Sequence, residues 1–169
     1  HLKLLVGLSD ITSLHIFLNQ EWGWPTVHGP MLGSLSSRPR QEQKEIENFV
    51  FGGLSEIQFK NLKPLNAAAQ IKKKIKAVVC GGNLMTVHGS LGTPWQIETK
   101  GKILFLEETG ERGYRIDRMF TGLKQAGLID QAKAIVFGDF NGGNETSGKN
   151  FWTTAKNDFA KSVRVPVFE

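Results

Sequence analysis

The sequence predicts a mixed α/β protein, and three observations carry that reading. Segments with helical spacing alternate with short apolar runs along the chain, the pattern of strands joined by helices. The 169 residues are 40% hydrophobic, enough for one substantial core or two small ones. The 19 glycines and 6 prolines are scattered, and no stretch is so poor in apolar residues that it reads as disordered. There is no internal repeat of solenoid length.

Leu2 to Val6 reads as a strand with no lead-in. A parallel strand of an α/β sheet is buried between neighbours, so this one needs partners from elsewhere, and the chain reads as an excerpt of a longer protein. Gly7-Leu8-Ser9-Asp10 follows, then a helix with Ile11, Leu14 and Leu18 at helical spacing, ending near Gly23. Pro25 to Pro30 reads as a short strand running into a Pro/Gly stop. Residues 31–42 resemble a connection, Gln43 to Phe51 an amphipathic helix, and polar sequence continues to about residue 70. The expected division is therefore 1–30 for the end of one α/β unit, 31–75 for a connection and 76–169 for a second unit. In that second unit Ala77 to Cys80, Lys102 to Leu106, Ala134 to Gly138 and Val163 to Phe168 read as strands. Leu84 to His88 opens a helix, Ile116 to Gly127 is a helix ended by its glycine, and 151–161 is a polar helix.

Charge narrows the partners only slightly. There are 21 basic and 16 acidic residues, and the densest basic run, Lys72, Lys73, Lys74 and Lys76, has no interleaved aromatics. It reads as a solvated face rather than a nucleic-acid surface. Cys80 is the single cysteine, so no intrachain disulfide can form and the chain suits a reducing compartment. No apolar stretch approaches the ~20 residues needed to span a bilayer. The four dispersed histidines and one cysteine give no metal-ligand spacing, and no cofactor is called for.

Three features could carry chemistry. A strand, then Gly7-x-Ser9, then a helix is the setting of a nucleophile elbow, where the turn lifts the hydroxyl to a helix N-terminus. The N–H of Asp10 would then help to hold an oxyanion. The same residues also suit an ordinary helix cap, because Asp10-Ile11 stands where the hydrolase motif has a second glycine. Glu107 and Glu108 follow an apolar strand, at a polar tip suited to orienting a histidine or simply to solvation. Spacing does not choose between them, since adjacent strand residues face opposite ways. No histidine follows Glu107 to complete a Ser, acid, His order. His15 and His28 read as structural, and His88 is the one internal substitute. Finally, Gly143 to Asn150 nearly matches the phosphate-binding pattern GxxxxGK[ST], but Asn150 lacks the hydroxyl that would meet magnesium.

Val6 to Leu14 resembles the nucleophile segment of the LD-carboxypeptidases, or muramoyltetrapeptide carboxypeptidases. Three further blocks match that family in order: His28-Gly29-Pro30-Met31; Gly81-Gly82-Asn83-Leu84; and Gly101 to Glu108, continuing through Tyr114 to Met119. Together they span most of residues 3–140. The resemblance implies a Ser-Glu-His triad with Ser9 as nucleophile and Glu107 as acid. Its histidine would lie beyond a strand like Val163 to Phe168, so this chain alone is expected to be inactive. It also implies the end of a flavodoxin-like or Rossmann-like N-terminal domain plus a smaller, strand-rich C-terminal domain, with the active site between them. Gly82 and Asn83 become candidate substrate contacts.

The implied function is release of terminal D-alanine from muropeptide tetrapeptides in the cytoplasm, by a homodimer without metal or organic cofactor. The alternative within the family is a microcin-immunity peptidase that cleaves a peptidyl-nucleotide antibiotic. Outside it stand an inactive fragment or binding module, and nucleotide binding around Lys149.

Overall fold

The computed structural model describes residues 3–52, 56–71 and 73–169. Leu2 of the predicted first strand, Lys72 of the basic run and His1 lie outside the described residues.

Two parallel sheets are built. In the N-terminal lobe, β1 (Leu5–Gly7) pairs with β2 (Thr26–His28) through α1 (Thr12–Glu21), a β-α-β unit. The short α2 (Leu32–Leu35) and α3 (Arg40–Val50) follow, and α3 starts three residues ahead of the predicted Gln43. Pro39 stands immediately before α3, where its fixed φ suits a helix entry. None of the residues of α3 is buried.

The C-terminal lobe holds β3 (Val79–Asn83), β4 (Ile103–Thr109), β5 (Ala134–Asn141) and β6 (Val167–Phe168), parallel and in chain order. They are linked by α4 (Leu84–Gly89), then α5 (Gly113–Gln125) with α6 (Leu128–Gln131), then α7 (Trp152–Ser162). Gly127 ends the α5 segment as expected, at φ +73, a left-handed conformation that glycine adopts without steric cost.

Burial alternates strictly along β4. Leu104, Leu106 and Glu108 are buried on one face, while Ile103, Phe105 and Glu107 are half-buried on the other. The first face meets Ile116, Phe120 and Leu123 of α5 and Phe159 and Ala160 of α7, with the Phe120 and Phe159 rings stacked at 4.4 Å. These side chains form the main core. The apolar run from Ile103 to Leu106 thus belongs to a strand with one helix-covered face and one face left for the N-terminal lobe.

Three predicted strands are shifted, the first of them lying at Leu5–Gly7 where Leu2 to Val6 was expected. Val163 to Phe168 pairs only at its end, because Val163 caps α7 and residues 164–166 turn the chain into the sheet. Ala77 to Cys80 is really Val79–Asn83, running on through both glycines. The expected connection at 31–75 is not uniform either. Lys63 and Leu65 hydrogen-bond with Glu169 and Val167, and the Asn66 amide reaches the carbonyls of Ala160 and Val165. Its last part is therefore integral to the C-terminal sheet. Cys80 sits within β3, where burial pushes the thiol up to about 11 and keeps it unreactive. Among the described residues, no helix is long and apolar enough to cross a membrane.

Candidate active site

Ser9 sits on a strained turn. The chain leaves β1, passes through Leu8 in extended conformation and reaches Ser9 at φ +66, then makes a 3-10 turn (Ser9–Ile11) into α1. A β-carbon at Gly7 would come within 2.8 Å of Ile11 Cδ1, so the glycine is what lets the turn close this tightly. Ser9 is exposed. A left-handed conformation costs a non-glycine residue about 1–3 kcal/mol, and such strain concentrates where function requires it. The Asp10 N–H belongs to the first turn, whose donors have no acceptor within the helix.

The lobes meet behind this turn. Thr12 is fully buried and its hydroxyl accepts the Asn83 N–H at 3.0 Å. A β-carbon on Gly82 would lie 2.4 Å from Thr12 Oγ1 and 2.9 Å from His28 Cδ2, so only glycine allows the contact. The Gln20 amide adds bonds to the Gln96 carbonyl and the Glu98 N–H.

The two glutamates divide as strand geometry requires. Glu108 turns to the helix-covered face, where its carboxylate accepts from Asn83 Nδ2 (3.2 Å), Met85 N (3.0 Å) and Thr109 N (2.9 Å). It anchors the start of α4. Burial pushes its carboxyl above the ordinary range, the three donors opposing. Glu107 turns the other way, and its Oε1 lies 3.5 Å from His28 Nε2. Gly138 leaves room for this, since a β-carbon there would meet the Phe105 ring at 2.7 Å and Glu107 Cβ at 3.2 Å. The β4–β5 register also shifts at this point, a bulge of the kind that re-aims side chains.

The candidates from sequence therefore fall as follows. Ser9 and Asp10 stand exposed at the turn, and Glu107 reaches toward the strand that pairs with β1. Gly82 and Asn83 are buried, with Asn83 fully engaged: N–H to Thr12, Nδ2 to Glu108, and Oδ1 accepting from Thr86 N and Oγ1. Their visible work is to join lobes and cap α4. His88 packs against Gly122 of α5. Gly143 to Asn150 does not form a phosphate cradle: Glu145 N donates to Lys149 O, Gly148 N donates to Glu145 O, and Glu145 adds a carboxylate to the loop. Thr12 was not singled out by sequence, and His28 read as structural although it opens one of the family-like blocks. Their partners are distant in the chain, and no local spacing announces them.

His15 Nε2 stands 3.0 Å from the Gly7 carbonyl, while its buried Nδ1 has no partner among the described residues. Nε2 must carry the hydrogen, and a proton on Nδ1 would be a buried charge without an acceptor. Burial accordingly holds this imidazole below its ordinary 6.5, with the Gly7 bond opposing and His28 adding slightly. The folded state resists the proton that the unfolded chain accepts, so stability is lost as pH falls below 6.5. Denaturant titration at pH 7.5 and 5.5 should show this loss, at most about 1.4 kcal/mol per pH unit. A His15→Gln variant, which keeps a donor for Gly7, should lose less; an equal loss in both proteins would refute the assignment.

Two α/β lobes with parallel strands, meeting behind a strand-to-helix turn that carries a strained, exposed serine, define the class of chain. The chain belongs to the LD-carboxypeptidase family, whose profile, described as the LD-carboxypeptidase C-terminal domain, matches residues 76–169. It is 42% identical over 172 residues to a Rickettsia conorii protein provisionally named a carboxypeptidase, covering 99% of this chain and 52% of that one. It is 36% identical to a Bacillus subtilis protein named probable murein peptide carboxypeptidase, over 83% of this chain and 44% of the relative. Among solved structures it resembles a muramoyltetrapeptide carboxypeptidase from Oxalobacter formigenes, with TM-score 0.73 and 26% identity over 98% of this chain and 56% of that one. The chain thus spans about half the length of the relatives it matches.

Proposed function

We propose that the protein to which this chain belongs is a serine LD-carboxypeptidase that removes terminal D-alanine from muropeptide tetrapeptides. The observation that carries the reading is Ser9: exposed, at φ +66, between β1 and α1. The similarity to a named murein peptide carboxypeptidase supports this substrate over a peptidyl-nucleotide.

In this mechanism Ser9 Oγ attacks the carbonyl of the L,D peptide bond, giving its proton to a histidine. That base is the triad histidine the family resemblance implies. Neither His15, whose Nε2 serves the Gly7 carbonyl, nor His88, packed on α5, is placed for the task. The tetrahedral oxyanion is held in part by the Asp10 N–H, and loss of one such donor typically costs about 100- to 1,000-fold in rate. The imidazolium, stabilised by Glu107, protonates the leaving amine, and D-alanine departs. Water, deprotonated by the same histidine, then frees the acyl group from Ser9. Gly82 and Asn83 hold the two lobes together behind the Ser9 turn. The reading also carries the expectation of a homodimer in the reducing cytoplasm, which sedimentation of the purified protein checks.

Full-length protein is incubated with tetrapeptide muropeptide and with a peptidyl-sulfamoyl nucleoside. Release of D-alanine from the first, and not cleavage of the second, is the expected result. The reverse preference would move the function to antibiotic immunity, and cleavage of neither would remove the peptidase reading.

A further inference from the structure

We propose that His28 is a positioning residue that donates Nε2–H to Glu107 Oε1 and fixes the acid relative to the Ser9 turn. The proposal rests on reading Glu107 as the triad acid. Nε2 and Oε1 face each other at 3.5 Å, and neither has a hydrogen-bond partner among the described residues although both atoms are buried. A buried polar atom left unpaired costs about 1–3 kcal/mol, so two such atoms facing one another are each other's remedy. A small closure brings them to hydrogen-bond length, and such bonds often tighten only when substrate is bound.

The imidazole is not free to go elsewhere. Its backbone is held opposite Gly7 in the β1–β2 pairing, and the Gly29 N–H donates to the Gly7 carbonyl at 3.1 Å. The ring packs between His15, at 5.9 Å, and Phe105, at 5.5 Å, with its edge against Gly82. Since Gly7 is two residues before Ser9, His28 ties the acid of one lobe to the nucleophile's strand in the other. One carboxylate oxygen occupied by His28 leaves Oε2 for the catalytic histidine, in a single orientation. What sets this ring apart is that the polar atom facing its unpaired Nε2 is itself an unpaired carboxylate oxygen from the other lobe.

The test uses the full-length protein. Histidine-selective nitrogen NMR should show His28 protonated at Nε2, with that signal moving in Glu107→Leu. With tetrapeptide substrate, His28→Leu should lower kcat about 10- to 100-fold with KM within about two-fold, the size of loss seen when a ligand's orienting partner is removed. His28→Gln, which retains a donor, should recover most of it, and melting temperatures of both variants guard against misfolding. In a Glu107→Leu background, His28→Leu should cost little more. An Nδ1–H tautomer, an unchanged kcat in His28→Leu, or no recovery in His28→Gln would overturn the proposal. So would a loss in both variants as deep as that of Ser9→Ala, which would make His28 the base itself. Unimpaired Ser9→Ala would instead defeat the peptidase reading, while the NMR comparison would still report whether His28 and Glu107 are paired.

Discussion

Ser9→Ala in the full-length protein is expected to lower D-alanine release by on the order of 10⁴-fold or more, the scale on which serine nucleophiles of triads are missed. The oxyanion donor and substrate contacts survive the change, so binding should be nearly unaffected and the loss should fall on kcat. Ser9→Gly should be as inactive yet more stable. Serine at φ +66 is strained, whereas glycine reaches that conformation without a steric penalty. A gain of about 1 kcal/mol would raise the melting temperature by roughly 2–4 °C in a domain of this size. The pair of results separates two meanings of the turn. A serine that only caps α1 has no reason to sit in the left-handed region, and glycine would then remove a cap without relieving anything. Retained activity in Ser9→Ala, or a Ser9→Gly protein no more stable than wild type, would end the nucleophile assignment.

Much of the frame was legible because its residues obey local rules. Ile103 to Leu106 and Ala134 to Gly138 are apolar runs of strand length, and both are strands. Ile116, Met119, Phe120 and Leu123 recur at helical spacing, and all four are buried in α5. The strand-to-helix setting of Ser9 was equally readable, and the resemblance singled out Glu107. What stayed hidden depends on meetings between distant segments. Glu107 and Glu108 are indistinguishable in sequence, and they part only because β4 has one face under helices and the other toward β2. His28 read as structural because nothing beside it names Glu107 as its neighbour. The strand at Val79–Asn83 was placed early because two glycines disfavour strand structure. The fold overrides that preference for a steric reason: a β-carbon at Gly81 would stand 2.0 Å from the Phe105 carbonyl oxygen.

Gly82→Ala should be the most damaging single change at the join of the lobes. The residue lies at φ +142, where alanine is strained wherever it has space, and here it has none. Its methyl would fall 2.4 Å from Thr12 Oγ1 and 2.9 Å from His28 Cδ2, both held in place by their own strands and helix. Thr12 is fully buried, so its hydroxyl has no water to turn to once the Asn83 N–H is pushed away. Backbone strain of about 1–3 kcal/mol and overpacking of about 1–3 kcal/mol then act together with a lost hydrogen bond worth about 1 kcal/mol. Because these share one cause they do not simply add, and a net loss of about 3–5 kcal/mol is expected, read by denaturant unfolding of the full-length protein. Thr12→Ala removes both of the threonine atoms that the methyl would strike. Combined with Gly82→Ala, it should therefore cost clearly less than the sum of the two single changes. Additive losses would mean that backbone strain alone governs the site, and a Gly82→Ala protein within about 0.5 kcal/mol of wild type, the usual scatter of harmless surface changes, would mean that the lobes do not meet there.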